Sequence, residues 1–139
     1  MVINRTEIEV RYKETDQMGI VHHSNYLAWF EIGRTKYIEQ LLNTTYAEME
    51  RKGILLPVTD AYLSYKKPAK YGDIVYIETK LKQYKGIRLV FDYTVTSKSG
   101  EVLATGYTSH GFVDKALKPI RLRNVNETWH HELMKAVKG

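Results

Sequence analysis

The tightest constraint on this chain is one run of helical periodicity that begins straight after a polar turn. From Tyr26 the apolar residues recur through Phe30, Tyr37 and Leu41, widened by Leu27, Trp29, Ile38 and Leu42. Gly33 stands inside the run, where glycine costs about 1 kcal/mol against alanine. Close approach of another backbone, such as a sheet lying on the helix, explains a glycine there. Glu31, Thr35 and Glu39 mark the more polar side. Ser24 or Asn25 can cap the start, because a short side-chain oxygen accepts from the orphan amides of a first turn. The reciprocal acid is missing, since Leu27 and Ala28 stand where Glu or Gln would close a capping box.

The rest of the chain reads as a sheet built to cover that run. Residues 3–13 alternate, with Ile8, Val10 and Tyr12 on one parity and Glu7, Glu9 and Arg11 on the other, which predicts a half-buried strand. Residues 15–19 break it as a loop. A short helix is predicted over residues 44–52, ended by Gly53. Four strands follow at residues 55–67, 73–84, 87–97 and 101–113, with Lys85-Gly86 and Ser99-Gly100 as turns. Pro119 opens a possible last edge strand over residues 119–122. Asn126 can cap a terminal helix in which Trp129, Leu133 and Val137 recur every four residues. One long helix followed by hairpin-linked strands is an α+β layout with an antiparallel sheet. The 139 residues form one domain by size, able to bury roughly two-thirds of the unfolded surface.

Composition removes several function classes. The chain has no cysteine, which excludes disulfides, thiolate nucleophiles and Cys-zinc sites. No segment approaches the roughly 20 apolar residues of a membrane span, so a soluble, cytoplasmic protein without membrane partners is expected. The net charge of +5 is spread among acids without a basic block. That suits a solvated surface or an anionic small molecule; a nucleic-acid partner is not expected, because no aromatic residues interleave with the basic ones. No G-x-S-x-G elbow, phosphate-binding loop or dinucleotide fingerprint occurs, and no cofactor is expected. His22-His23 and His130-His131 are poor metal pairs, since adjacent side chains diverge and no carboxylate supports them at helical spacing.

The turn ahead of the long helix carries the chemistry. Asp16 lies on a polar loop just before a helix start, where orphan amides and the positive dipole end favour negative charge. Such a position can hold a carboxylate beside an oxyanion that develops during acyl transfer. The amide of His23, at the helix mouth, is a candidate donor to a substrate carbonyl, and its imidazole can order water or relay a proton. Tyr12 leads in from the strand, within reach of Asp16 or a substrate. An Asp in such a loop is also an ordinary turn residue, and paired histidines are also ordinary loop polarity.

The run Arg11-Tyr12-x-Glu14-Thr15-Asp16-x-x-Gly19-Ile20-Val21-x-His23-x-x-Tyr26, continuing to Trp29-Phe30-Glu31-x-Gly33-Arg34, resembles the hotdog-fold acyl-CoA thioesterases. It is most similar to the 4-hydroxybenzoyl-CoA thioesterase-like branch that includes the YbgC-type enzymes. The resemblance implies a hotdog fold: a long central helix wrapped by a five- or six-stranded antiparallel sheet, here with a C-terminal helix. It implies homodimers whose sheets join, often paired again into homotetramers, with active sites at the subunit interface. By the same resemblance Asp16 is the catalytic carboxylate, acting as nucleophile or general base. The His23 amide polarises the thioester carbonyl, and the His23 and Tyr12 side chains assist. Gly19, His22 and Tyr26 join the substrate contacts, with His22 standing where that branch carries an aromatic residue. Lys85, Arg88, Arg121 and Arg123 are expected to meet the phosphates of CoA, and Trp29, Phe30 and Tyr62 are candidates for the acyl pocket, with core packing the alternative for Phe30. Two other readings share the motif: a non-catalytic acyl-CoA-binding domain, and a thioesterase acting on acyl carrier protein.

Overall fold

In a computed structural model, which describes residues 2–138, five strands form one antiparallel sheet. β1 spans Ile3–Glu9, β2 Val58–Tyr65, β3 Ile74–Tyr84, β4 Arg88–Ser97 and β5 Val102–Gly111, arranged β1-β3-β4-β5-β2. Helix α1, Ser24–Leu42, lies across one face, and α2, Tyr46–Arg51, leads from it toward β2. Two C-terminal helices, α3 at Leu122–Val125 and α4 at Glu127–Lys138, close one end.

Alternation decides which face is covered. Along β3 and β4, Ile77, Leu81, Phe91, Tyr93 and Val95 are fully buried beneath α1, while Tyr76, Glu78 and Asp92 point the other way. Gly33 lets the helix sit down on this layer. A methyl group there would meet the Thr79 hydroxyl, and would lie 3.0 Å from Ile77 Cγ2. The close neighbours are therefore side chains of β3, where the sequence pointed to backbone. Gly106 plays the matching part on β5, since a Cβ there would collide with the Tyr62 carbonyl and the Phe30 ring. Phe30 in turn stacks on Tyr93 with centroids 4.2 Å apart.

The first expected strand is cut short and the last does not form. The first stops at Glu9 and residues 12–14 form a 3₁₀ turn, because the Glu14 carboxylate folds back to accept the Arg11 amide at 2.8 Å. Residues 119–122 form no strand. Pro119 makes a single bridge to Val113, and Leu122 begins α3 with its amide on the Gly86 carbonyl. Thr45 caps α2, and Asn126 accepts from the Trp129 amide at 3.0 Å to cap α4. Among the described residues, no helix is long and apolar enough to cross a membrane.

The two sheet edges differ in chemistry. The exposed parity of β1 carries Arg5, Glu7 and Glu9, charges that discourage another strand from adding there. β2 carries one charge, Asp60, with Val58, Tyr62 and Tyr65 all about half exposed. That is an edge suited to a partner.

Candidate active site at the mouth of the long helix

Glu14 organises the loop that holds Asp16. Its carboxylate is buried, accepting from the Arg11 amide and, at 2.9 Å, from the indole of Trp29 on α1. Burial alone would raise its pKa. The hydrogen bonds from the Arg11 amide, Trp29 and the Arg11 guanidinium outweigh that and hold it below the ordinary value. The Glu14 carbonyl also accepts from the His22 amide at 2.8 Å and the Asn25 side chain at 3.0 Å. The loop is thereby tied to the first turn of α1 from both sides.

Within this frame Asp16 closes a tight turn. Its amide donates to the Ile20 carbonyl, its carbonyl accepts from Gly19, and one carboxylate oxygen accepts from the Met18 amide at 2.8 Å. Gly19 takes φ +80°, which a side chain would resist. The other carboxylate oxygen is uncommitted within the turn. Asp16 and His23 line one cleft of about 380 Å³ with Met18, Val21, Tyr26 and Tyr65. His23 is the cap residue of α1, and among the described residues nothing accepts its amide hydrogen. Tyr65, from the far end of β2, packs edge-on against buried Tyr26 and reaches toward the His23 carbonyl. Burial raises the pKa of both phenols.

Other candidate residues fall elsewhere. Tyr12 is 70% exposed, packs on Tyr71 and does not line the cleft. His22 stacks on His23 with its Nδ1 2.8 Å from the Ser24 hydroxyl, outside the cleft lining. Trp29 and Phe30 are core residues, and Tyr62 stacks on Tyr107 on the sheet face turned away from α1. Lys85, Arg121 and Arg123 converge on a depression of about 240 Å³ floored by Tyr84 and His130. There the Tyr84 hydroxyl, its pKa pushed up to about 12 by burial, lies 2.6 Å from His130 Nδ1. Arg88 does not join them; it faces Asp60 at 3.8 Å on the opposite edge.

Sequence reasoning passed over Glu14 as a functional group, and Tyr65 and Lys67 as cleft residues. Glu14 had a signal in its spacing, three residues beyond Arg11, which suits a carboxylate that caps its own turn.

A helix wrapped by a five-stranded antiparallel sheet, with a carboxylate and an unspent amide at the helix mouth, defines the hotdog class of thioester hydrolases. The thioesterase-like superfamily profile matches residues 10–130, and the chain belongs to that family, in its 4-hydroxybenzoyl-CoA thioesterase-like branch. It is 45% identical over 139 residues to a Bacillus subtilis protein named "Putative acyl-CoA thioesterase YneP", covering 99% of this chain and all of that one. Haemophilus influenzae "Acyl-CoA thioesterase YbgC" is 28% identical over 126 residues, covering 89% of this chain and 92% of the other. A solved structure described as DHNA-CoA thioesterase from Staphylococcus aureus superposes with TM-score 0.93 at 40% identity, covering 97% and 91%.

Proposed function

We propose that residues 1–139 form a single thioesterase domain that hydrolyses acyl-CoA to a free carboxylic acid and CoA. The observation that carries this reading is the shared cleft of Asp16 and the uncommitted His23 amide. The thioester carbonyl oxygen takes the His23 N–H, reinforced by the positive end of α1, so the oxyanion of the tetrahedral intermediate forms where a donor already waits. Asp16 acts as nucleophile on the carbonyl carbon or as base on the attacking water. The C–S bond then breaks and CoA leaves as thiolate, a leaving group that needs no protonation as demanding as an amide's; on the nucleophile route water then cleaves the acyl–Asp16 anhydride, releasing the free acid and restoring the carboxylate. The His23 imidazole, and Tyr12 through a neighbouring subunit, assist in ordering water. Tyr26 lines the cleft, while Gly19 shapes the Asp16 turn and His22 backs the His23 ring from outside it.

CoA phosphates suit the Lys85, Arg121 and Arg123 cluster, with Arg88 a further cation nearer the β2 edge. Bare β2 favours a homodimer in which two copies of that edge pair antiparallel and close the Asp16 cleft, with dimers pairing again as a homotetramer. A cytoplasmic setting accords with the absence of cysteine. Asp16→Asn is nearly isosteric and keeps an acceptor for the Met18 amide. It is expected to fold normally and bind CoA, yet release free thiol from acyl-CoA at least about 10²-fold more slowly. Wild-type turnover in that variant would remove the mechanism. Running the same assay on acyl carrier protein thioesters decides which carrier is used.

A further inference from the structure

The chain holds no cysteine, so the thioether of methionine is its softest nucleophile toward peroxides. Three methionines lie among the described residues, and the fold treats them differently. Met49 lines a separate cleft of about 260 Å³ at the start of β2, yet it is only 2% exposed. Met134, on α4 beside the basic depression, is 37% exposed. Met18 is 75% exposed, and it lines the cleft of Asp16 and His23.

Its place in the turn explains that exposure. The Asp16 carbonyl accepts from the Gly19 amide at 3.0 Å, which makes Gln17 and Met18 the two central residues of a β-turn. Side chains there point away from the closing bond, and Met18 has no core to reach. Its amide is spent on the Asp16 carboxylate at 2.8 Å, so the backbone cannot swing the side chain inward without releasing that carboxylate. The thioether is thereby held at the cleft, beside the apolar walls of Ile20, Val21 and Pro68. An opening that admits an acyl thioester also admits a molecule the size of hydrogen peroxide. Closure of the cleft by a second subunit therefore does not shield the sulfur.

Resting on the thioesterase reading above, we propose that Met18 is an oxidation site through which hydrogen peroxide silences the enzyme reversibly. The sulfur attacks one peroxide oxygen, the O–O bond breaks and an S–O bond forms. Sulfur loses two electrons, and the second oxygen leaves as hydroxide and takes up the remaining proton to become water. The product is a chiral, polar sulfoxide where an apolar side chain stood. Its oxygen is a strong acceptor, and the amide of His23, in the same cleft, has no acceptor among the described residues. The sulfoxide competes with the thioester oxygen for that donor. Two thiols reverse the change, ending as a disulfide while the sulfoxide oxygen departs as water.

The experiment treats the intact protein with hydrogen peroxide and then removes the oxidant. Sulfoxide is mapped by peptide mass, and thiol release from an acyl-CoA is followed together with the urea midpoint. Met18 is expected to convert first. As it does, kcat/KM should fall in step by roughly tenfold, part of the 10²–10³ that outright loss of such a donor costs, with the midpoint unchanged. Thiol-driven methionine sulfoxide reductases, one for each epimer, should restore both the mass and the rate. Met18→Leu should keep its own starting rate through the treatment, whatever that rate is. Met134→Leu, which removes the other exposed thioether, should stay as sensitive as wild type. Full turnover with Met18 converted, or an equal loss in Met18→Leu, overturns the proposal, as does conversion of buried Met49 ahead of Met18. Untreated protein that releases no thiol breaks the thioesterase reading and this proposal together. A working enzyme indifferent to peroxide breaks this proposal alone.

Discussion

The clefts at the two ends of β2 are held by opposite means. At Asp16 the frame is backbone: turn amides, a left-handed Gly19 and the Glu14 latch hold a half-exposed carboxylate. At the start of β2 the frame is core: a buried neutral His110 imidazole, bonded through Thr108 to Tyr93, which stacks on Phe30. A group that must meet water and substrate gains from a loop that leaves one oxygen unspent. A group sealed in the core gains from neighbours that cannot rearrange. The contrast predicts that damage at the first end shows in turnover and damage at the second in stability.

The largest expected effect tests the first half of that contrast. Asp16→Asn should lower turnover by about 10²-fold or more while leaving the urea midpoint within the error of wild type. A variant that loses both would place Asp16 in the fold and erase the distinction. At the second end the corresponding signature is pH dependence. Burial pushes His110 down to about 4 from 6.5, so the unfolded chain takes up the proton first as pH falls. His110 therefore costs stability progressively from pH 6.5 toward 4, by about 3 kcal/mol in all, and contributes no slope above 6.5. Urea titrations at several pH values should show this slope in wild type and lose it in His110→Gln.

Glu14 joins the two cases, since it is buried yet serves the loop. Glu14→Gln is expected to cost about 2 kcal/mol through the weakened bonds to Arg11 and Trp29, with turnover falling as the loop loosens. The depressed pKa of Glu14 means that its contribution is present above about 4.5 and lost below it. That window lies below most of the His110 window, so the two can be told apart in one titration. The smallest effect belongs to the basic depression. Lys85→Ala or Arg123→Ala should raise KM for acyl-CoA several-fold, with kcat nearly unchanged, because an exposed cation contributes only about 1 kcal/mol to an anion. The loss should shrink as salt is raised.

What could be read from the sequence was whatever depends on local spacing. The α1 periodicity, its interior Gly33, the Asn126 cap and the alternation of β3 and β4 all express neighbours a few residues apart. The same spacing places Asp16 and His23 at one helix mouth. Long-range partners were not legible. Residues 10–13 continue the strand pattern of β1, but the strand ends because Glu14 finds Trp29 fifteen residues away. Tyr12 points to Tyr71 for the same reason. His110 lies on the buried parity of β5, where nothing local announces that Thr108 and the Leu56 carbonyl will satisfy it. Arg88 sits three residues from Lys85 yet faces Asp60, because entry into β4 turns it toward the β2 edge.

The indole of Trp29 gives the molecule a reporter of its own. It is one of two tryptophans, and it joins the reactive loop to the central helix through the Glu14 carboxylate. The other, Trp129, lies under Lys52 on the C-terminal helix. Replacing Trp129 with phenylalanine would leave a single tryptophan wired to the loop, so its emission, excited selectively over the tyrosines, should follow, without any added label, how far that loop shifts as a thioester docks and its products leave.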